Sequence, residues 1–163
     1  MSEEVKDNFD QKVIDDFGNE WEKFNYLKVD TKTNLDKQFQ AYTRLLDLQQ
    51  FDQNNSIFAD IGAGSGRWTE KFLPYFSQLY IVEPSEKAIN VLKARFKNNH
   101  KVKILKETAS VNSIKPGSVD LLISLGVLHH LPDTKRAIED LSVKIRNGGY
   151  FLCYLYYNLE NKP

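Results

Sequence analysis

Glu83 has the clearest chemical meaning in this chain of 163 residues, because it ends a short apolar run and lies 21 residues after Gly62 (83 − 62). Gly62 is the first of three closely spaced glycines, which directly follow a second apolar run at residues 57–61. A carboxylate about 20 residues beyond a glycine-rich loop is placed to accept hydrogen bonds from ribose hydroxyl groups. The glycines let the loop turn sharply, and the free N–H groups of the next helix face it. The two features together predict a nucleotide-binding element with Glu83 on the ribose.

The spacing of the glycines narrows the class of nucleotide. The loop reads GxGxG, whereas a dinucleotide-binding fold requires GxGxxG, and the place of its third glycine is taken by Arg67. No Gly-Lys-Ser/Thr follows, which excludes a Walker loop. With the aspartate before it, the stretch DIGAGSG resembles the first motif of the class I S-adenosylmethionine-dependent methyltransferases. The resemblance implies S-adenosylmethionine as cofactor, S-adenosylhomocysteine as product, and cofactor contacts from Asp60, Gly62, Ala63, Gly64 and Gly66.

Two later stretches resemble motifs of the same family. The second strand ends in Glu83 and Pro84, which the resemblance places against the cofactor. The run VDLLISL at residues 119–125, followed by GVLHHL, resembles the fourth motif, in which an aspartate opens the central strand. The end of that strand, here Leu125, then lines the cleft for cofactor and substrate.

The adenine contact departs from the family pattern. An acidic residue followed by alanine commonly reaches the adenine amino group, but here Thr108 precedes Ala109. Three alternatives therefore stay open, namely the Thr108 hydroxyl, the Ala109 backbone and a displaced Glu107.

Methyl transfer from a sulfonium is an in-line displacement, so a catalytic base is required only when the acceptor must lose a proton. His129 and His130 follow the fourth strand and are the candidates for that base. Alternatively, one histidine packs against the next helix and the other is a cap or is solvated.

Arg67 is expected to pair with the methionine carboxylate of the cofactor or with an acidic group of the substrate. We expect no metal site, because adjacent histidines on a loop seldom point together.

The order of apolar runs predicts how these residues are positioned. Strands and helices alternate, which indicates a parallel sheet with helices on both faces. The expected fold is an α/β, Rossmann-like three-layer sandwich of at least five strands, without the C-terminal strands of the family's usual seven. Strands are predicted at residues 57–61, 79–82, 102–105, 119–125 and 150–157, with a helix over 65–76 and another from Asp133 that stops at 147–149.

Residues 1–33 are predicted to be a helical and aromatic cover, and residues 34–163 the cofactor-binding core. The stretch FGNEW resembles N-terminal segments that help to cover the cofactor in some methyltransferases. Residues 1–33 are predicted to contain a helix that stops at Gly18 and an aromatic patch of Phe17, Trp21, Phe24 and Tyr26. The alternative is a hydrophobic clasp that seals one edge of the sheet.

The composition of the whole chain limits the classes of function it can have. Lysines plus arginines and aspartates plus glutamates both number 22, and this balance indicates no nucleic acid partner. Without a signal peptide, long apolar span or second cysteine, a cytoplasmic protein without membrane contact is expected. The resemblance implies an enzyme that methylates a small-molecule acceptor; the alternative is a truncated or non-catalytic S-adenosylmethionine-binding module. The apolar edge at 150–157 indicates either truncation or a homodimer formed through that edge.

Overall fold

The computed structural model describes residues 8–23 and 29–156, with side chains described for residues 8–20 and 34–156. Five strands form one sheet in the order β3-β2-β1-β4-β5, and every pairing is parallel. The predicted Rossmann-like α/β fold with a parallel sheet of five strands is therefore confirmed. The strands are β1 (Ile57–Ile61), β2 (Gln78–Val82), β3 (Val102–Leu105), β4 (Val119–Leu125) and β5 (Ile145–Tyr154).

The central strands β1 and β4 are apolar because both of their faces are covered. Phe58 of β1 lies in a buried cluster with Ile123 of β4 on one face. Ala59 and Leu122 lie in a second cluster on the other face. Near-continuous burial along these strands is typical of a parallel sheet inside two helical layers.

Helices cover the two faces unequally. The first face carries α2, α3 and α4, where Phe39 packs edge-on against Phe72 with ring centroids 5.1 Å apart. The second face carries α5, whose Ala137 and Leu141 are fully buried. The helices are α1 (Gln11–Lys23), α2 (Val29–Thr43), α3 (Arg67–Phe72), α4 (Glu86–Arg95) and α5 (Thr134–Ser142).

Two helix ends differ from the prediction. Gly18 does not stop α1, which continues to Lys23. A Cβ at Gly18 would lie 2.3 Å from Ser85 Oγ, so this glycine allows close approach to the start of α4 rather than ending a helix. The helix predicted over 65–76 is divided into α3 and a 3₁₀ turn that contains Pro74, because proline cannot donate an intrahelical hydrogen bond.

The predicted boundary between α5 and β5 is also wrong. The helix ends at Ser142, and the strand begins at Ile145, opposite Val119, rather than at Tyr150. The intervening glycines form a bulge inside the strand instead of a helix stop, and Gly148 has φ +75°.

The predicted division between residues 33 and 34 lies inside α2, because Val29–Thr43 is one helix. The side chains of Trp21, Phe24 and Tyr26, and the predicted strand end at Tyr157, lie outside the described residues.

Candidate cofactor and acceptor site

The site lies where the strand order reverses. β1 is flanked by β2 and β4, and the loops after these strands meet at the carboxyl edge of the sheet, the usual ligand position in such folds. A cavity of about 310 Å³ opens there, which is at the lower end of the range for small-molecule sites. Its described lining consists of Phe9, Asp10, Val13, Ile14, Phe17, Glu20, Ile61, Gly62, Ala63, Arg67, Trp68, Val82, Glu83, Pro84, Thr108, Ala109, Leu125, Gly126, Val127, His130, Leu131 and Tyr156.

The glycine loop turns at residues that need a left-handed backbone. Gly62 has φ +72°, and a Cβ there would lie 2.6 Å from the side chain of Val127. Gly66 has φ +76° at the start of α3, and a Cβ would lie 2.7 Å from Leu92 and Phe96. Side chains at these positions would combine backbone strain with steric overlap, so the loop keeps its course only with glycine.

Glu83 is held as a rigid acceptor beside this loop. Only 7% of the residue is exposed, its Oε2 accepts a hydrogen bond from Gly64 N at 3.0 Å, and its Oε1 accepts one from Ser85 N at 2.9 Å. Burial raises the pKa of Glu83, while the N–H groups of Ser85 and Gly64 oppose that rise. A carboxylate oxygen has two lone pairs, so each oxygen of Glu83 can accept a second hydrogen bond from a ligand.

Asp60 lies under the loop rather than in the cavity. The residue is 2% exposed, and Thr69 Oγ1 donates a hydrogen bond of 2.6 Å to its Oδ2. Burial raises the pKa of Asp60 to about 7, with the nearby Glu83 carboxylate acting in the same direction. Asp60 therefore connects the end of β1 to α3 beneath the glycines.

The three candidates for the adenine contact lie in different places. Thr108 and Ala109 line the cavity. Glu107 does not, and its Oε2 accepts hydrogen bonds from Ser113 N at 2.7 Å and Ser113 Oγ at 3.1 Å. Because Glu107 is fixed to its own loop, the displaced-glutamate alternative is not favoured by this geometry.

Another part of the cavity wall is aromatic. The ring of His130 contacts Phe17 of α1 edge-on, with centroids 4.9 Å apart, and Tyr156 lies beyond it at 6.4 Å. His130 Nε2 is buried and has no hydrogen-bond partner among the described residues. Burial lowers the pKa of His130, so the neutral imidazole, which can accept a proton, is favoured near neutral pH.

His129 does not line the cavity. Its ring lies 4.0 Å from that of His130 and 4.5 Å from that of Tyr156, and both of its nitrogens are buried without a described partner. Burial and the adjacent His130 lower the pKa of His129. The geometry makes His129 a support for the His130 ring.

Arg67 and Trp68 form the wall beside the glycine loop. The guanidinium of Arg67 lies 4.9 Å from the centroid of the Trp68 ring, a cation–π contact. The indole is 5% exposed and packs edge-on against Tyr42. This wall therefore presents a positive charge on a rigid apolar support.

Helix α1 forms the roof of the cavity. Its cavity-facing residues recur at helical spacing, and Asp10 Oδ1 accepts hydrogen bonds from Lys12 N and Val13 N at the start of the helix. Because these residues recur every three or four positions, the sequence alone could have indicated this face of the helix. Its residues are Asp10, Val13, Ile14, Phe17 and Glu20.

The structure thus brings most predicted contacts together. Those that line the cavity are Gly62, Ala63, Arg67, Glu83, Pro84, Thr108, Ala109, Leu125 and His130; those that do not are Asp60, Gly64, Gly66 and His129. Sequence reasoning missed Thr69, which donates a hydrogen bond to Asp60, and Asn8, whose amide hydrogen-bonds to Asp133 and Ser110; neither lies in a motif that the sequence makes visible.

No described helix has the length and apolar character needed to span a bilayer. Among the described side chains, those of residues 8–20 and 34–156, no cluster of three or more His, Cys, Asp or Glu is placed to bind a metal.

Residues 59–153, more than half of the chain, match the protein family described as Methyltransferase domain. The chain therefore belongs to this family of S-adenosylmethionine-dependent methyltransferases.

Relatives of several kinds share this domain. The mouse tRNA (carboxymethyluridine(34)-5-O)-methyltransferase ALKBH8 is 28% identical over 120 residues, which cover 71% of this chain and 17% of that protein. The uncharacterized methyltransferase YcgJ of Bacillus subtilis is 26% identical over 104 residues, covering 63% of this chain and 41% of YcgJ. The chain spans less than half the length of the curated relatives it matches.

Solved structures share the fold. The crystal structure of YcgJ superposes with a TM-score of 0.63 at 21% identity, over 70% of this chain and 49% of that one. Phosphoethanolamine N-methyltransferase 1 of Haemonchus contortus, solved with phosphoethanolamine and S-adenosylhomocysteine, gives a TM-score of 0.63 at 20% identity, over 86% of this chain and 32% of that one. At this level of identity the likeness concerns the fold alone.

Proposed function

We propose that the cavity binds S-adenosylmethionine and that the enzyme transfers its methyl group to a small molecule bearing an N–H or O–H group. The observation that carries the proposal is the buried Glu83 carboxylate beside the glycine loop, with each oxygen oriented by one backbone N–H and able to accept a second hydrogen bond. Ribose offers two neighbouring hydroxyl donors, which match these two acceptors.

The remaining wall supports the same assignment. The glycine loop, through Gly62 and Ala63, allows close approach of the backbone to the ligand, and Pro84 extends the wall beyond Glu83. Thr108 and Ala109 would flank the adenine. Arg67 would pair with the methionine carboxylate, and its contact with Trp68 would orient it. The bound cofactor would supply an electrophilic methyl group on a sulfonium.

His130 would accept the proton that the acceptor loses. Its Nε2 is buried without a described partner and its pKa is lowered by burial, so a neutral nitrogen is available at the cavity wall. Leu125 and the Phe17 ring would exclude water from the acceptor end. Orientation and exclusion of water are the main contributions that a protein makes to an in-line displacement.

A small acceptor is favoured over a tRNA, the substrate class named for the mouse relative. The described lining includes the acids Asp10, Glu20 and Glu83 and one arginine, Arg67. The whole chain has a net charge of zero. Both features oppose binding of a polyanion, which requires an excess of basic groups.

Two titrations and one turnover assay test the proposal. In calorimetry, the protein should bind S-adenosylhomocysteine and not NAD. With S-adenosylmethionine labelled on its methyl group, a screen of small amines and hydroxyl compounds beside bulk tRNA should transfer label to a small compound. Label on tRNA alone would contradict the small acceptor. Binding without turnover on any acceptor would instead support the alternative, a non-catalytic cofactor-binding module.

We also propose that β5 pairs with a second copy of the chain. In the described sheet β5 pairs with β4 alone, and Tyr150, Tyr154 and Tyr156 are 41%, 40% and 60% exposed. Exposed edge strands of this kind favour pairing with another chain. Light scattering coupled to size exclusion should give the mass of a dimer. A monodisperse monomer at high concentration would contradict this pairing.

A further inference from the structure

We infer that Asn8 is a positioning residue that holds α1 over the cavity and thereby controls how fast the cofactor enters and leaves. The inference rests on the proposed placement of the cofactor in this cavity. Asn8 lies just before α1 and is 4% exposed. Asparagine is seldom buried to this degree unless its amide is hydrogen-bonded.

The Asn8 amide binds both backbone groups of one distant residue, Asp133. Its Nδ2 donates to Asp133 O at 2.7 Å and to Ser110 Oγ at 3.3 Å, and its Oδ1 accepts from Asp133 N at 2.9 Å. These are three of the four hydrogen bonds that a carboxamide can make. One side chain therefore ties the start of α1 to the β3–β4 connection and to the residue that caps α5.

This attachment reaches the loop that carries the proposed base. Asp133 follows His130 by three residues, and the Phe17 ring of α1 contacts the His130 ring. The roof helix and this loop are thus joined at two points, one polar and one aromatic. Displacing α1 would remove the roof from the cofactor and the support from His130 together.

A second described polar attachment of α1 is weaker. Lys87 Nζ donates to Asn19 Oδ1 at 2.5 Å, but this pair is exposed, and exposed polar pairs contribute little because water competes for them. Gly18 packs closely on Ser85. Asn8 is therefore the described polar contact whose loss would most favour opening of the roof.

The test is the dissociation rate of S-adenosylhomocysteine, measured by stopped flow after displacement with excess S-adenosylmethionine. Asn8→Ala should raise this rate roughly tenfold, the change that corresponds to about 1.4 kcal/mol. Gln11→Ala is the matched control, because the one described hydrogen bond of that amide is donated to Asp15, within α1 itself. Its rate should stay within about twofold of the wild type.

The outcomes separate the two proposals. If the wild type does not bind S-adenosylhomocysteine, the proposed function fails and this inference with it. If the wild type binds but Asn8→Ala leaves the dissociation rate unchanged, only the role of Asn8 is overturned. An effect on the urea midpoint without one on the dissociation rate would show a merely structural residue and would equally overturn it.

A measurement on the wild type covers the case in which Asn8→Ala fails to fold. Saturating S-adenosylhomocysteine should slow hydrogen exchange in residues 9–20 more than in α5, because a bound ligand holds the roof closed. Equal slowing in α1 and α5, or no slowing in α1, would overturn the inference.

Discussion

Two parts of the site are built by different means. Beside the glycine loop, at the proposed cofactor end, the buried Glu83 carboxylate accepts hydrogen bonds from two backbone N–H groups, and Asp60 beneath the loop accepts one from Thr69. At the proposed acceptor end, His130 is held by ring contacts, and its Nε2 has no described partner. Under the proposed function, the cofactor would meet groups that are already paired and oriented, whereas the acceptor would meet a group that is still without a described partner.

The largest expected effect is at the acceptor end. His130→Gln should lower methyl transfer by roughly 100-fold or more, because general-base catalysis contributes about 10²–10⁴-fold. Affinity for S-adenosylhomocysteine should change little, since the described ring contacts of His130 are with Phe17, His129 and Tyr156 and do not involve Glu83. Initial rates with labelled cofactor and an acceptor from the screen measure the loss.

The exposed His100 offers a matched control, and His100→Gln should leave turnover unchanged. The pH profile adds a second check. Turnover should rise with pH up to the pKa of His130, which burial lowers from 6.5, and be flat above it. An identical acid limb in His130→Gln would remove His130 from the reaction.

The second effect is at the cofactor end. Glu83→Ala should weaken S-adenosylhomocysteine binding by about 1–3 kcal/mol, the range for loss of a charged hydrogen-bonding group. Calorimetry measures this change. Glu86→Ala serves as control, because Glu86 is exposed and pairs with Lys106, and its dissociation constant should match the wild type. Equal affinity in Glu83→Ala and wild type would refute the ribose contact.

The third effect is a pH dependence of stability from Asp60. Its pKa is raised from 3.8 to about 7 by burial, so between these values the folded state keeps a proton that the unfolded state releases. The free energy of unfolding therefore falls as pH rises through this window and is level above it. Relative to Asp60→Asn, the wild type should lose about 2 kcal/mol between pH 5 and pH 8.

Urea unfolding of both proteins at the two pH values measures this difference. A constant difference between wild type and Asp60→Asn would mean that Asp60 ionises alike in both states, contrary to its burial under the loop.

The smallest effects come from deleting one hydroxyl at each end. Thr69→Val removes the donor to buried Asp60 and should lower the free energy of unfolding by about 1 kcal/mol. Tyr156→Phe keeps the ring beside His129. It should change the equilibrium constant for unfolding and the rate of methyl transfer by less than about twofold each. Urea unfolding and initial rates compare the pair. A larger effect for Tyr156→Phe would mean that hydrogen bonds also build the acceptor end.

The sequence predicted the fold and nine of the 22 described lining residues of the cavity because these features are local. The glycine loop and the residues at the strand ends follow apolar runs directly, so their places follow once the strands are parallel. Asn8 and Thr69 act through partners 125 and 9 residues away, and no local pattern signals either contact.

The start of β5 was predicted wrongly for a related reason. The residues between Ile145 and Tyr150 contain asparagine and two glycines, which locally resemble a helix stop. Pairing of Ile145 with Val119 and the ion pair of Arg146 with Asp120 make the same residues part of a bulged strand. Tertiary contacts thus decided an element that local propensity assigned differently.

The most direct test of the proposed site is a crystal structure of the protein with S-adenosylhomocysteine. We expect the ribose hydroxyl oxygens at hydrogen-bond distance, about 2.5–3.0 Å, from the two Glu83 carboxylate oxygens, with the sulfur directed toward His130 and the adenine beside Thr108 and Ala109. A ribose bound away from Glu83, or a ligand outside the cavity beneath α1, would contradict it.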